Sequence, residues 1–333
     1  MPIDQEWLDQ VKEEALDPDL PIIDPHHHLW DYPRDRYMLD ELLADIDSGH
    51  NIVATVYVEA SSMYRADAPE HLAPVGETEF ANGIGAQGAS GSYGDIRPCK
   101  GIVSFADLTL GAAVDEVLEA HLAVAPDRLR GIRHSVAWDS NESIIGYKNS
   151  PEGLMADARF REGFSRLRAH DLTFDAWLYH PQVPELTALA RAEPDVTIIF
   201  DHFGGPLGIG SYEGRRDEVF AQWKVDIAAL AGCPNVVAKI GGLWMALNGY
   251  DWQQGDKPPA SSDLAEASRD WFLHTIDLFG PYRCMFESNF PVDKVSCSYG
   301  VMWNAFKRMA EGFSADERRA IFHDTAARVY RLD

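Results

Sequence analysis

Histidine can ligate a metal, move a proton or donate a hydrogen bond near neutral pH, and this chain places three in a row. The stretch Pro21-Ile22-Ile23-Asp24-Pro25-His26-His27-His28-Leu29-Trp30-Asp31 leads from β-branched residues straight into them. A strand turns successive side chains to opposite faces. His26 and His28 would therefore share one face, and His27 would point the other way. Two imidazoles on one face at a strand end can meet one ion or one substrate. Other reactive groups close later apolar runs: Glu59, Asp107, Arg133 with His134, His180, His202, and Glu287 with Asn289, while Lys239 lies within such a run. Imidazoles converging with a carboxylate or amide suit a divalent metal such as Zn2+. An ion with an open position brings the pKa of bound water down to about 7. That would supply a nucleophile for an ester or lactone carbonyl.

The elements that must carry these groups are eight short apolar runs. The patterning predicts strands at Pro21–Asp24, Ile52–Val58, Gly101–Phe105, Leu129–Arg133, Thr173–Leu178, Val196–Phe200, Val236–Ile240 and Cys284–Glu287. Continuous apolar runs suit parallel strands covered on both faces. Helical patterns alternate with most of them, and others are expected at Gln5–Leu16, Leu39–Ile46, Met302–Gly312 and Ala315–Tyr330. The simplest closed solution is an α/β fold, a (β/α)8 TIM barrel. A doubly wound sheet would want a glycine-rich turn after its first strand, and the histidines occupy that place. The expected organisation is one domain over residues 1–333, with a surface segment at 1–20 and loop insertions at 63–99 and 241–263. The Gly85–Ser92 stretch lacks a following Gly-Lys-Ser/Thr, so it reads as a flexible loop and not a phosphate cradle.

With 333 residues, 46% of them hydrophobic, the chain can bury a large core. The net charge of −24 argues against nucleic acid or an anionic membrane as partner. No apolar run reaches the ~18 residues of a membrane span. The start of the chain lacks a signal pattern, and four cysteines without CxxC spacing read as reduced thiols. The expectation is a cytoplasmic protein acting on a small molecule, with a homo-oligomer left open as its assembly.

Four motifs carry a resemblance to a known family: Asp24-Pro25-His26-His27-His28-Leu29-Trp30-Asp31, Arg130-Gly131-Ile132-Arg133, Asp201-His202-Phe203-Gly204-Gly205-Pro206 and Glu287-Ser288-Asn289-Phe290-Pro291. Together they resemble the amidohydrolase superfamily, in its amidohydrolase-2 group of lactonases and ACMSD-like decarboxylases. The likeness runs from Ile22 to about Leu332. It implies a distorted barrel with one divalent metal held by His26, His28, His180 and His202, though some lactonases of the group work without metal. It places Arg133 on a substrate oxyanion or carboxylate. Glu59, Lys239 and Trp244 are further candidates for substrate binding, and Trp252 is expected to pack over the loop. The family's last strand normally ends Gly-Ser-Asp-Trp-Pro, whose Asp activates water. Asn289 stands there in this chain, and a neutral amide cannot take that proton. Glu287 shares its face two residues earlier and Asp293 follows on the loop.

The chemistry expected is hydrolysis of a lactone or related cyclic ester of a small, carboxylate-bearing substrate, with Arg133, His202, Glu287 and Asn289 as the catalytic set. The alternative is metal-dependent, non-oxidative decarboxylation of an aromatic or muconate-type acid. A binding barrel without catalysis is the third reading. Aromatic residues in the loops (Tyr64, Trp138, Tyr147, Trp244, Tyr299) permit a ring-containing substrate.

Overall fold

The computed structural model describes residues 3–33, 35–141, 144 and 150–332; Tyr147 lies outside them. Eight parallel strands form one sheet in chain order: β1 Pro21–His27, β2 Asn51–Val58, β3 Arg97–Ser104, β4 Leu129–Ile132, β5 Thr173–Ala176, β6 Ile198–Phe200, β7 Val236–Ile240 and β8 Cys284–Phe286. Helices surround the sheet, and β1 and β8 approach just beyond their C-terminal ends. His27 bridges Phe290 there. His28 N donates to Phe290 O at 2.8 Å, and Asn289 N donates to His26 O at 2.9 Å. The barrel is thus drawn shut at the end where the histidines lie.

Period-two alternation builds its interior in layers. Ile23, Val103, Ile199, Val237 and Met285 form an apolar layer, plugged from below by Val329, Tyr330 and Leu332. One step of two residues further, about 6–7 Å along a strand, the interior turns ionic with Asp201, Lys239 and Glu287, all buried. Residues of opposite parity, such as Ile22, Ile198, Phe200, Val236 and Phe286, join the larger core under the helices.

Two segments differ from the sequence expectation. The Gly-rich stretch is not a loop up to residue 89, because the helix Val75–Ala89 runs through it. A Cβ at Gly85 would meet Arg128, and one at Gly88 would overlap Pro98. These glycines permit close packing of the helix against its neighbours. The first helix covers only Gln5–Leu8. Tertiary hydrogen bonds hold the next residues instead: Glu13 accepts from Ser261 N at 2.8 Å and from Asn304 Nδ2 at 3.0 Å. Among the described residues no helix is long and apolar enough to cross a membrane.

Candidate active site

A cavity of about 370 Å3 opens at the C-terminal ends of the strands. Its described lining includes His28, Arg133, His202 and Asn289, each just past a barrel strand. Beyond the strands it is bounded by Trp30, Tyr32 and Asp35 of the short hairpin after β1, and by Trp177, Met245, Leu247 and Val292.

Each polar group at the cavity floor is fixed by another buried group. Glu287 lies beneath the floor, fully buried, with Oε1 2.7 Å from His202 Nδ1 and Oε2 2.9 Å from His26 Nδ1. Its partner His202 lines the floor of the cavity with its Nδ1 committed to that carboxyl. Gly241 and Gly242 pack against the pair. A Cβ on Gly242 would overlap the His202 ring, and one on Gly241 would overlap Glu287. His202 (φ 53°) and Asn289 (φ 53°) both occupy the left-handed backbone region, which is costly without glycine and is found at sites held by their surroundings.

On the other side of His26, Nε2 faces His28 Nε2 at 3.2 Å. His28 Nδ1 is 2.8 Å from Val58 O, so Nδ1 carries the proton and Nε2 presents a lone pair. Arg133 spans the same corner. Its Nε donates to Glu59 Oε1 at 3.0 Å, Nη2 donates to Glu59 O, and Nη1 is 3.3 Å from His26 Nε2. Asn289 Nδ2 donates to Asp293 Oδ2 at 2.6 Å, while Asp293 Oδ1 accepts from Trp244 N at 2.8 Å.

Burial disfavours charge on these groups. It pushes Glu287 up to about 8 against the pull of Lys239, and Asp293 up to about 8 against hydrogen bonds from Asn289 and Trp244. It pushes His202 down to about 3 and holds His26 and His28 well below the ordinary imidazole value, with Lys239 adding to the effect on His26 and Arg133 on His28. All three imidazoles are therefore neutral at pH 7, the form that binds metal or accepts a proton.

The donors fit a divalent ion. Among the described residues, His26, His202 and Glu287 form a group whose ligand atoms lie within 4.8 Å of one another. Two nitrogens bound at about 2.0–2.1 Å to a tetrahedral ion would be about 3.3–3.4 Å apart, close to the 3.2 Å between His26 and His28. N and O donors of this kind are what zinc and its neighbours take.

The structure does not bring all expected residues to the cavity. His180 stands apart from the metal-ligand group. Leu207 N donates to its Nδ1 at 3.3 Å and its ring meets Tyr212 edge-on, because the chain leaves the barrel after Trp177. Lys239 belongs to the ionic layer below the floor. It donates to Asp175 Oδ2 at 2.6 Å, lies 3.4 Å from Asp201 Oδ1 and reaches His26 Nδ1 at 3.2 Å, with no exposed surface. Glu59 is turned to Arg133 and is 1% exposed. Trp244 stacks on Phe272 and Phe306 in the core. Trp252, expected to pack, stacks on Tyr250. These residues support the floor or the fold and do not line the cavity. Trp177 was missed by the sequence reading, although it shares the inward parity of Asp175. Met245, Leu247 and Val292 lie on irregular segments where no periodicity marks them.

The comparisons with known proteins agree with this geometry. An uncharacterised protein of Sinorhizobium fredii is 34% identical, the match covering 94% of this chain and 99% of that one. An L-fucono-1,5-lactonase of Burkholderia multivorans is 28% identical, covering 93% and 96%. A crystal structure of an amidohydrolase from Burkholderia multivorans with bound zinc superimposes with a TM-score of 0.73 at 25% identity, covering 94% and 99%. The amidohydrolase family pattern matches residues 23–332, and the chain belongs to that family of hydrolases.

Proposed function

We propose that this protein is a lactonase, opening the ring of a small lactone by attack of water. The observation that carries the reading is the His202–Glu287 pair, 2.7 Å apart, set at the floor of a cavity beside the Arg133 guanidinium. Lactonase relatives at modest identity support it. A divalent ion held by His26 and His28, whose Nε2 atoms face each other at 3.2 Å, would supply Lewis-acid polarisation when bound and leave the His202–Glu287 pair for proton transfer; the zinc-bearing family structure makes zinc the ion proposed.

The chain's own residues then divide the work. Arg133, locked by Glu59, presents a fixed cation to the carbonyl or carboxylate oxygen. With Glu287 ionised, His202 donates Nδ1–H to it and is left with Nε2 as acceptor, as in other carboxylate–imidazole pairs. Nε2 takes a proton from water as the water oxygen bonds to the carbonyl carbon. The ring C–O bond then breaks, and the leaving oxygen recovers that proton from His202. Glu287 stabilises the imidazolium without touching substrate, so it is a positioning residue. Asn289, oriented by Asp293, offers an amide oxygen that can hold the water but not deprotonate it.

Proton release on a lactone panel, followed with parallel CO2 detection and metal analysis of the purified protein, tests this. Acid production without CO2 is expected. CO2 release without ring opening would transfer the site to the decarboxylase reading.

A further inference from the structure

We infer that the lactone carries an aryl or alkyl body and not a polyhydroxylated sugar ring, an inference that rests on the lactonase reading above. Among the described lining residues, the polar side chains other than Tyr32 and Asp35 gather at one end of the cavity. His28, Arg133, His202 and Asn289 all sit where barrel strands end, and they serve the reacting carbonyl. The walls that would enclose the rest of the substrate are built from Ala60, Trp30, Trp177, Met245, Leu247 and Val292.

Two features make those walls apolar by construction. The first is the hairpin after β1. Its Trp30 ring stacks between His28 (centroids 6.0 Å apart, 24° between planes) and Tyr32 (6.1 Å, 25°). The Tyr32 hydroxyl donates to Ala60 O at 3.1 Å, so its ring is what borders the space. The second is a separate apolar cluster of Ala137, Ile144, Trp177, Tyr179, Leu207 and Met245, with Leu247 and Val292 packed on it. It backs the loop side of the cavity and keeps those side chains in place.

A sugar lactone carries several hydroxyls, each needing a donor or acceptor. Among the described lining residues, Asp35 on the hairpin could accept from one of them. The indole N–H groups of Trp30 and Trp177 are the other polar atoms that these described wall side chains offer; hydroxyls directed at the remaining wall atoms would lose water against carbon and sulfur, on the order of a tenfold loss of affinity for each unpaired group. An aromatic or alkyl body removes apolar area from water at the same walls and can stack on an indole.

The test measures binding and turnover separately. The dissociation constants of ortho-hydroxyphenylpropanoate, the ring-opened form of dihydrocoumarin, and of gluconate are measured by calorimetry on the purified enzyme. Hydrolysis of dihydrocoumarin, an alkyl δ-lactone and gluconolactone is followed alongside. The aryl acid is expected to bind at least tenfold more tightly than gluconate, and Leu247→Gln is expected to narrow that ratio about threefold to tenfold. Gluconate binding as well as the aryl acid, or neither acid binding, overturns the inference. Preferred aryl binding with no lactone hydrolysed leaves the apolar site standing and overturns the lactonase reading. Faster hydrolysis of gluconolactone than of both apolar lactones leaves the lactonase reading standing and overturns the inference.

Discussion

At the floor of the cavity each polar side chain is held by a second, more deeply buried group: His202 by Glu287, Arg133 by Glu59, Asn289 by Asp293 and His28 by the Val58 carbonyl. At the walls, shape comes from apolar packing of a hairpin and a loop-borne cluster. The floor stands on strand ends, where the barrel dictates direction to within one residue's parity. The walls stand on connections that can change without disturbing the barrel. The difference separates two properties. On the proposed reading, reaction chemistry resides in the layered barrel interior and substrate choice in the connections.

If that division holds, substitutions under the floor should damage turnover far more than binding. Glu287→Gln has the largest expected effect on this comparison. The amide keeps the carboxyl's shape but cannot stabilise a protonated His202, so kcat should fall about 10³-fold, measured on protein whose circular dichroism matches the wild type. Gly242→Ala comes next. Its backbone is left-handed (φ +62°) and the new methyl would overlap the His202 ring; displacing that ring should lower kcat on the order of 10²-fold. Arg133→Met should raise KM about 10–100-fold. It also removes the guanidinium that is ion-paired with Glu59, a residue 1% exposed, so chemical denaturation should report a loss of about 3–5 kcal/mol.

The smallest effect concerns pH and the support beneath Asn289. Burial raises the Asp293 carboxyl to about 8, so the folded protein holds that proton more tightly than the unfolded chain. The resulting stabilisation is complete below the ordinary carboxylate pKa of about 4 and is lost as pH rises toward 8. Asp293→Asn removes this dependence. Its melting temperature should gain a few degrees on the wild type between pH 5 and pH 8, and parallel melting curves over that range would show that Asp293 is not the source.

How much of this was legible beforehand follows the same line. Apolar runs ending in reactive residues marked the barrel and placed His26, His28, Arg133, His202, Glu287 and Asn289 near one another, because parity and strand order are properties of local sequence. Depth was not legible. Lys239 and Glu287 have the right parity, yet they sit one layer below the cavity, where they hold the imidazoles instead of the substrate. His180 follows a strand whose regular pairing stops at Ala176, and the irregular segment after it sets the ring's direction. The helix through Gly85 and Gly88 was hidden because glycine signals turns when read alone, whereas here it permits contact with Arg128 and Pro98. Met245, Leu247 and Val292 gave no periodic signal, so the walls emerged only from tertiary structure.

The division between floor and walls is tested most directly by comparing His202→Gln and Leu247→Gln on one lactone, with kcat and KM resolved for each. His202→Gln should lose at least about 10²-fold in kcat with KM nearly unchanged. Leu247→Gln should keep kcat within about twofold of wild type while KM rises about threefold to tenfold. A His202→Gln enzyme that retains wild-type kcat would contradict the account.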